Sequence, residues 1–111
     1  MEQTQSMEQK IISRRKDARR IAIEGILPEL EKLLENAGVP YRIFGSVASG
    51  KISQDSDIDL MIMGRVITSD VRHCVYEITH GCIKKSGIKI DLLFEDEFSP
   101  DDVARILSQD V

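Results

Sequence analysis

The sequence predicts an α/β (α+β) fold in which a small mixed β-sheet of about three core strands is flanked by helices. Three short β-prone runs support the sheet, at residues 41–44, 57–63 and 88–94. Segments with helical periodicity precede, separate and follow these runs. Because the chain has 111 residues and no linker or low-complexity segment, we expect a single domain over residues 1–111.

The first part of the chain predicts two successive helices. Residues 1–24 contain the N-terminal helix, because from residue 6 onwards apolar side chains recur on one arc and basic side chains on the opposite side. Gly25 then interrupts this pattern. Pro28 suits the first turn of a second helix, which we expect to continue to Asn36.

The first two strands lie on either side of a loop of small residues. Tyr41–Phe44 leads directly into residues 45–50, and a strand followed by a glycine-containing loop is typical of a phosphate site. The second strand alternates Asp, Ile, Asp, Leu, Met, Ile, Met. Since successive side chains point to opposite faces of a strand, Asp57 and Asp59 should project from the same face.

The second half of the chain predicts a helix, a strand and a last helix. Thr68 or Ser69 can cap the third helix, which ends before Gly87. The strand that follows is apolar except for Lys89 and Asp91, so a carboxylate stands among core residues. A serine, a proline and early acids then form the start signal of a C-terminal helix, which we assign to residues 99–109.

The net charge of −4 conceals an asymmetry along the chain. Residues 1–20 sum to +3 and residues 91–111 to −6, and the acidic total argues against non-specific binding to nucleic acid. The basic run from Arg14 to Arg20 is either a solvated helix face or a contact for RNA or an acidic partner surface. No apolar run approaches the roughly 18–20 residues that span a bilayer, and the first twenty residues are too charged for a secretory signal, so we expect a cytoplasmic protein with no membrane contact.

The acids on the second and third strands predict a metal site. Two carboxylates at Asp57 and Asp59, beside apolar residues, are costly unless a metal or a hydrogen-bond donor compensates them. Asp91 stands on a separate strand that could lie alongside, and three carboxylates that converge on one face suit one or two Mg²⁺ ions. The alternative is structural: a turn aspartate and two strand acids that face solvent.

The loop before these acids predicts the binding of phosphate. Gly45 lets a phosphate approach the backbone closely, and the hydroxyl and amide of Ser46 can donate hydrogen bonds to its oxygens. Lys51 could add a positive charge or be a solvated loop residue. Together the loop and the acids suit a metal-chelated nucleoside triphosphate from which pyrophosphate leaves.

The spacing of Gly-Ser, ten residues, Asp-Ile-Asp and an acid on a later strand resembles the DNA polymerase β-type nucleotidyltransferase superfamily, and most of all its minimal (MNT) branch. The resemblance extends over nearly the whole chain and implies a nucleotidyltransferase fold with its catalytic core at residues 41–94. It implies that Gly45 and Ser46 bind the triphosphate, that Asp57 and Asp59 bind metal, and that Asp91 is the third catalytic carboxylate.

The resemblance also implies an activity and a partner. Minimal members resemble the antitoxins of toxin–antitoxin pairs, in which AMP is transferred from ATP, with Mg²⁺, to a tyrosine of a HEPN-domain toxin. Two alternatives stay open: transfer to a small hydroxyl compound, and a non-catalytic module that masks its partner. The family often has arginine at one or both of the positions held here by Val47 and Ser49, and this departure bears on the affinity for triphosphate.

Overall fold

A computed structural model describes residues 7–108 of the chain; the predictions for residues 1–6 and 109–111 lie outside the described residues. Within these residues, four α-helices and three strands are connected by short loops and one 3-10 turn at Glu95–Glu97. In chain order the helices and strands are α1 (Met7–Asn36), β1 (Tyr41–Phe44), α2 (Gly45–Ser49), β2 (Ile58–Ile62), α3 (Ser69–Ser86), β3 (Ile90–Phe94) and α4 (Pro100–Leu107).

The prediction of two helices at the start of the chain is wrong, because α1 is one helix of 30 residues that continues through Gly25 and Pro28. A proline in a helix interior costs about 3 kcal/mol relative to alanine. Ile23 and Leu30, on either side of Pro28, are both buried in the same core. Each such side chain contributes about 1.5–3 kcal/mol on burial, so core packing outweighs the local signal to stop.

The sheet has the strand order β1-β2-β3, with β1 antiparallel and β3 parallel to the central strand β2. A parallel pair needs a long crossover, and α3 provides it between β2 and β3. The mixed three-stranded sheet with flanking helices confirms the predicted fold. Because β1 runs in the opposite direction, its last residue meets the first residues of β2 and β3 at one end of the sheet. We call this end the carboxylate rim, after Asp57, Asp59 and Asp91.

The two faces of the sheet pack differently. One face carries Leu60 and Ile62 of the central strand against α1 and α3, and these two helices also pack on each other. This is the main hydrophobic core of the described residues. The other face carries Asp59 near the rim and Met61 further along β2, where Val103 of the short helix α4 covers it. The apolar side thus holds the fold together, while the acids lie on the face that α4 covers only in part.

The predicted starts of the two later helices are confirmed. The hydroxyl of Thr68 accepts a hydrogen bond from the amide of Val71 at 3.3 Å, and that of Ser99 accepts one from the amide of Asp102 at 3.2 Å. Each cap satisfies one of the donors that a helix leaves unpaired at its first turn. Within residues 7–108, no helix combines the length and the apolar character that crossing a membrane requires.

Candidate functional site

The sheet register brings two of the predicted acids side by side. Asp59 of β2 lies opposite Asp91 of β3 in the parallel pair, and opposite Phe44 of β1 on its other side. Residues that are paired across neighbouring strands point to the same face, and the strands lie about 4.8 Å apart. Asp57 precedes Asp59 by two residues, just before β2 begins, and therefore lies towards the same face. The structure thus brings together the three acids that the sequence singled out.

Asp59 is the most perturbed of the three acids. Partial burial raises the pKa of its carboxyl above the ordinary value of 3.8. The negative charges of Asp91 and Asp57 raise this pKa further, and so does a hydrogen bond with Asp91. Ionised Asp59 is therefore disfavoured by its surroundings, and a cation at this position would relieve the repulsion.

Asp91 already has a cation beside it. The ammonium Nζ of Lys89 lies 3.2 Å from Oδ1 of Asp91, and the two side chains are 70% and 44% exposed. Lys89 and Asp91 are two residues apart on an extended segment, so they share a face. The side chain of Asp91 therefore contacts Lys89 through Oδ1 and also forms a hydrogen bond with Asp59.

Gly45 forms the wall of the site next to Asp59. Its φ of 73° lies in the left-handed region, which favours glycine. A Cβ placed on residue 45 would lie 3.0 Å from Cγ of Asp59 and closer still to Oδ2. No larger residue fits here without displacing the carboxylate. The absence of a side chain at this position is therefore part of the acid site, in addition to its predicted role towards phosphate.

Ser46 and the loop before β2 are connected by hydroxyl groups. Oγ of the buried Ser56 accepts hydrogen bonds from Oγ of Ser46 at 3.2 Å and from the amide of Ser53 at 2.7 Å. These bonds join α2 to the residue before Asp57. Lys51 follows α2 and is exposed, and its amide donates to the carbonyl of Ser46 at 2.9 Å. The predicted phosphate-binding residues therefore form one connected segment beside the acids.

The donor set suits Mg²⁺, which prefers carboxylate oxygens. The charge of Asp59 is not compensated, since its pKa is raised and no described lysine or arginine pairs with it. The side chains that the structure describes nevertheless include no group of three acids, histidines or cysteines already arranged to hold a metal ion. Rotamers of half-exposed acids adjust when a cation binds, whereas the pairing of β2 with β3, which brings Asp59 and Asp91 together, does not change.

Sequence reasoning missed two residues of the site. Lys89 is an exposed lysine on a strand, and only its position two residues before Asp91 could have indicated the ion pair. Ser56 is by sequence one more serine in the loop before β2, and its burial and the hydrogen bond that it accepts from Ser46 depend on where α2 lies, ten residues earlier in the chain.

Comparison with known proteins agrees with this geometry. The family model described as nucleotidyltransferase domain matches residues 23–110, which include all of the site residues above. No curated protein and no solved structure matches the chain.

Proposed function

Because this chain belongs to the nucleotidyltransferase domain family, we propose that it transfers AMP from ATP to a hydroxyl group, with Mg²⁺, and that the acceptor is a tyrosine of a HEPN-domain partner. Nucleotidyl transfer in general follows from family membership. The choice of nucleotide, metal and acceptor is our proposal, and it depends on the chemistry of the carboxylate rim and on the resemblance to minimal nucleotidyltransferases.

The pairing of Asp59 with Asp91 across β2 and β3 is the observation that carries this proposal. Together with Asp57, these acids would hold the metal. When bound, Mg²⁺ would neutralise the triphosphate and withdraw charge from the α-phosphate and the leaving pyrophosphate. Asp59 lies between the other two acids, and the burial and the repulsion that raise its pKa would both be relieved by a bound cation.

The segment from Gly45 to Lys51 would hold the triphosphate. Gly45 lets its backbone pack against the carboxylate of Asp59, and the amide and hydroxyl of Ser46 are phosphate donors next to this contact. The hydroxyl of Ser46 donates to Ser56, and a phosphate oxygen would compete for this proton. Lys51 adds a positive charge on an exposed part of the same segment.

In the transfer step, the acceptor oxygen forms a bond to the α-phosphorus while the bond from that phosphorus to the bridging oxygen of the β-phosphate breaks. Pyrophosphate leaves with the electron pair of the broken bond. The hydroxyl proton passes to Asp91, whose side chain is 44% exposed and so can be reached by the incoming acceptor. Asp59 would keep its role in binding the nucleotide through the metal.

A protein acceptor suits the small size of the domain. Asp91 is 44% exposed and lies at the end of the sheet, so an acceptor can reach it from outside. A single domain of this size has little material left to enclose a small acceptor on all sides, and a partner protein supplies the missing walls. A tyrosine hydroxyl on such a partner can enter a shallow site because the aromatic ring is long and rigid.

A non-catalytic module that masks its partner is the second candidate. It is favoured by the absence, among the described residues, of a ready-made three-residue metal site, and by Val47 and Ser49 where arginines are frequent in the family. Such a module would bind the partner equally well with and without nucleotide. Transfer to a small hydroxyl compound, the third possibility from the sequence, gains no support from the geometry.

Incubation with labelled ATP separates these candidates. The chain, Mg²⁺ and the co-purifying HEPN-domain protein are mixed with ATP labelled on either the α- or the γ-phosphate. We expect label from α-labelled ATP alone on a tyrosine of the partner, and no label after EDTA or with the Asp59→Asn variant. A stable complex that never acquires label would establish the masking module instead.

A further inference from the structure

The first half of α1 projects past the carboxylate rim. α1 runs antiparallel to α3, since Nζ of Lys85, near the end of α3, lies 2.8 Å from Oε1 of Glu29, whereas residues 15–22 of α1 lie beside the loops that precede β2 and β3. At a rise of about 1.5 Å per residue, residues 7–14 extend roughly 12 Å further. The described structure is accordingly 60 Å long but only 31 and 17 Å in its other dimensions.

A cavity of about 440 Å³ lies where α1 passes these loops. We call it the basic cleft. Besides two alanines of α1, it is lined by Arg15, Arg19, Gln54, Asp55, Gly87 and Ile88. The loop that forms one wall continues within two residues to Asp57, so the basic cleft opens at the same end of the sheet as the carboxylate rim.

The charged groups of the basic cleft are available to a ligand. Nε of Arg19 donates to the carbonyl of Gln54 at 3.1 Å, which positions the guanidinium and leaves its two terminal nitrogens as donors. Among the side chains that the structure describes, Arg20 pairs with Asp17, whereas neither Arg15 nor Arg19 forms an ion pair. Two guanidinium groups against the single carboxylate of Asp55 give the cleft a net positive charge.

The basic cleft also contains an unsatisfied acceptor. Oε1 of Gln54 is buried and has no hydrogen-bond partner within the described part of the chain. Buried oxygens of this kind usually have a donor, and leaving one unpaired costs about 1–3 kcal/mol. A rotation of the Gln54 side chain would expose this oxygen to a ligand that carries N–H or O–H donors as well as negative charge. A peptide with acidic side chains has both.

We propose, resting on the proposed function, that the basic cleft binds an acidic segment of the acceptor protein and so holds the acceptor hydroxyl at the carboxylate rim. The projecting helix offers a suitable surface, because Ile11 and Ile21 are 41% and 64% exposed among its basic residues, and protein interfaces combine apolar and charged groups. The overall charge of −4 would repel the phosphates of a nucleic acid. A second copy could offer its own acidic end to the basic cleft, and sedimentation distinguishes this occupant from a peptide of the acceptor.

Charge reversal in the basic cleft tests this inference by direct binding. Arg15→Glu is compared with Lys16→Glu, which makes the same charge change on an exposed residue of the same helix outside the cleft. The probes are fluorescent peptides with a central tyrosine flanked by glutamates or by glutamines, and a single-stranded RNA of matched charge. We expect Arg15→Glu to weaken the binding of the glutamate peptide about fivefold relative to Lys16→Glu, and no binding of the glutamine peptide.

Binding is measured by anisotropy without nucleotide, so its result is independent of catalysis. Equal weakening by both variants, or RNA that binds more tightly than the glutamate peptide, would overturn the inference. Self-association in sedimentation that is lost in Arg15→Glu would overturn it in favour of a second copy. Transfer from ATP to the same peptides is then measured separately. Peptide binding with the expected dependence on Arg15, but without any transfer, would support the cleft and reject the proposed function.

Discussion

A Cβ on Gly45 would overlap the carboxylate of Asp59, which lies opposite the preceding residue Phe44 in the antiparallel pair. The glycine that opens the phosphate loop and the central acid of the rim are therefore packed against each other. The two motifs are separated by ten residues in the sequence, but they form one surface in the structure, and a change in either one alters the other.

Gly45→Ala should lower transfer by about a hundredfold or more, because the new methyl group displaces Asp59 and small displacements in a reacting centre have effects of that size. Gly50→Ala is the matched control. Gly50 also has a positive φ, 78°, but no atom lies within 4 Å of its added Cβ. Alanine is strained in the left-handed conformation, so both variants should lose about 1–2 kcal/mol of unfolding free energy, measured in urea. If both variants also lost activity equally, the contact with Asp59 would have no part in the effect.

Asp59→Asn and Asp91→Asn should both remain folded and lose transfer on the order of a hundredfold or more, for different reasons. At Asp59 the loss of charge should weaken the binding of Mg²⁺ with nucleotide as well as catalysis. At Asp91, where we place the acceptance of the proton, nucleotide binding should largely survive. Calorimetry with Mg²⁺ and a non-hydrolysable triphosphate measures the difference. Equal loss of nucleotide affinity in both variants would contradict this division of roles.

The raised pKa of Asp59 predicts how stability depends on pH without metal. A carboxyl whose pKa is higher in the folded than in the unfolded protein binds its proton more readily when folded, so folding stability falls as the pH rises from the ordinary value of 3.8 to the raised one, and the penalty stays above it. Asp59→Asn removes this penalty. In urea unfolding it should gain about 0.2–1 kcal/mol over the native chain at pH 7, and little or nothing at pH 3.

The control for this pH series is Glu24→Gln, an exposed acid on α1 away from the rim. We expect no comparable gain at pH 7 from this change. Addition of Mg²⁺ should raise the melting temperature of the native chain more than that of Asp59→Asn, since only a protein that binds the metal is stabilised by it. A gain that was identical at both pH values would show that the repulsion among the acids is not its source.

Ser56→Ala should destabilise the chain by about 1–3 kcal/mol, because it leaves the amide of Ser53 and the hydroxyl of Ser46 without their acceptor. The loop before Asp57 should loosen, and nucleotide affinity should fall with it. Ser108→Ala, at an exposed helix end, is the control and should change stability little. Hydrogen exchange of the Ser53 amide measures the loosening; unchanged protection would show that other contacts order this loop.

The continuity of α1 can be tested by substituting alanine, a good helix former, for Gly25 and Pro28. Pro28→Ala should stabilise the chain by about 1–3 kcal/mol and Gly25→Ala by roughly 0.5–1 kcal/mol, since both positions are exposed and inside the helix, and no atom lies within 4 Å of a Cβ added at Gly25. Urea unfolding gives both values. Destabilisation by both substitutions would indicate a break between two helices, as the sequence pattern suggested.

The sequence by itself determined the elements with strong local signals. Strand Tyr41–Phe44 and the capped starts at Thr68 and Ser99 are where the pattern placed them, because β-propensity and capping depend on residues within a few positions of one another. The family was also recognisable from the sequence, since the spacing of Gly-Ser to Asp-Ile-Asp is a local pattern, and the family model that matches residues 23–110 agrees with it.

Only the tertiary structure decided the rest. α1 continues through Pro28 because the core buries residues on both sides of it, which no local signal records. The overlap of residue 45 with Asp59, the burial of Ser56 and the cleft beside Arg19 each depend on which strands are neighbours and in which register. Register is set by the hydrophobic face as a whole, and therefore by contacts between residues that are far apart in the chain.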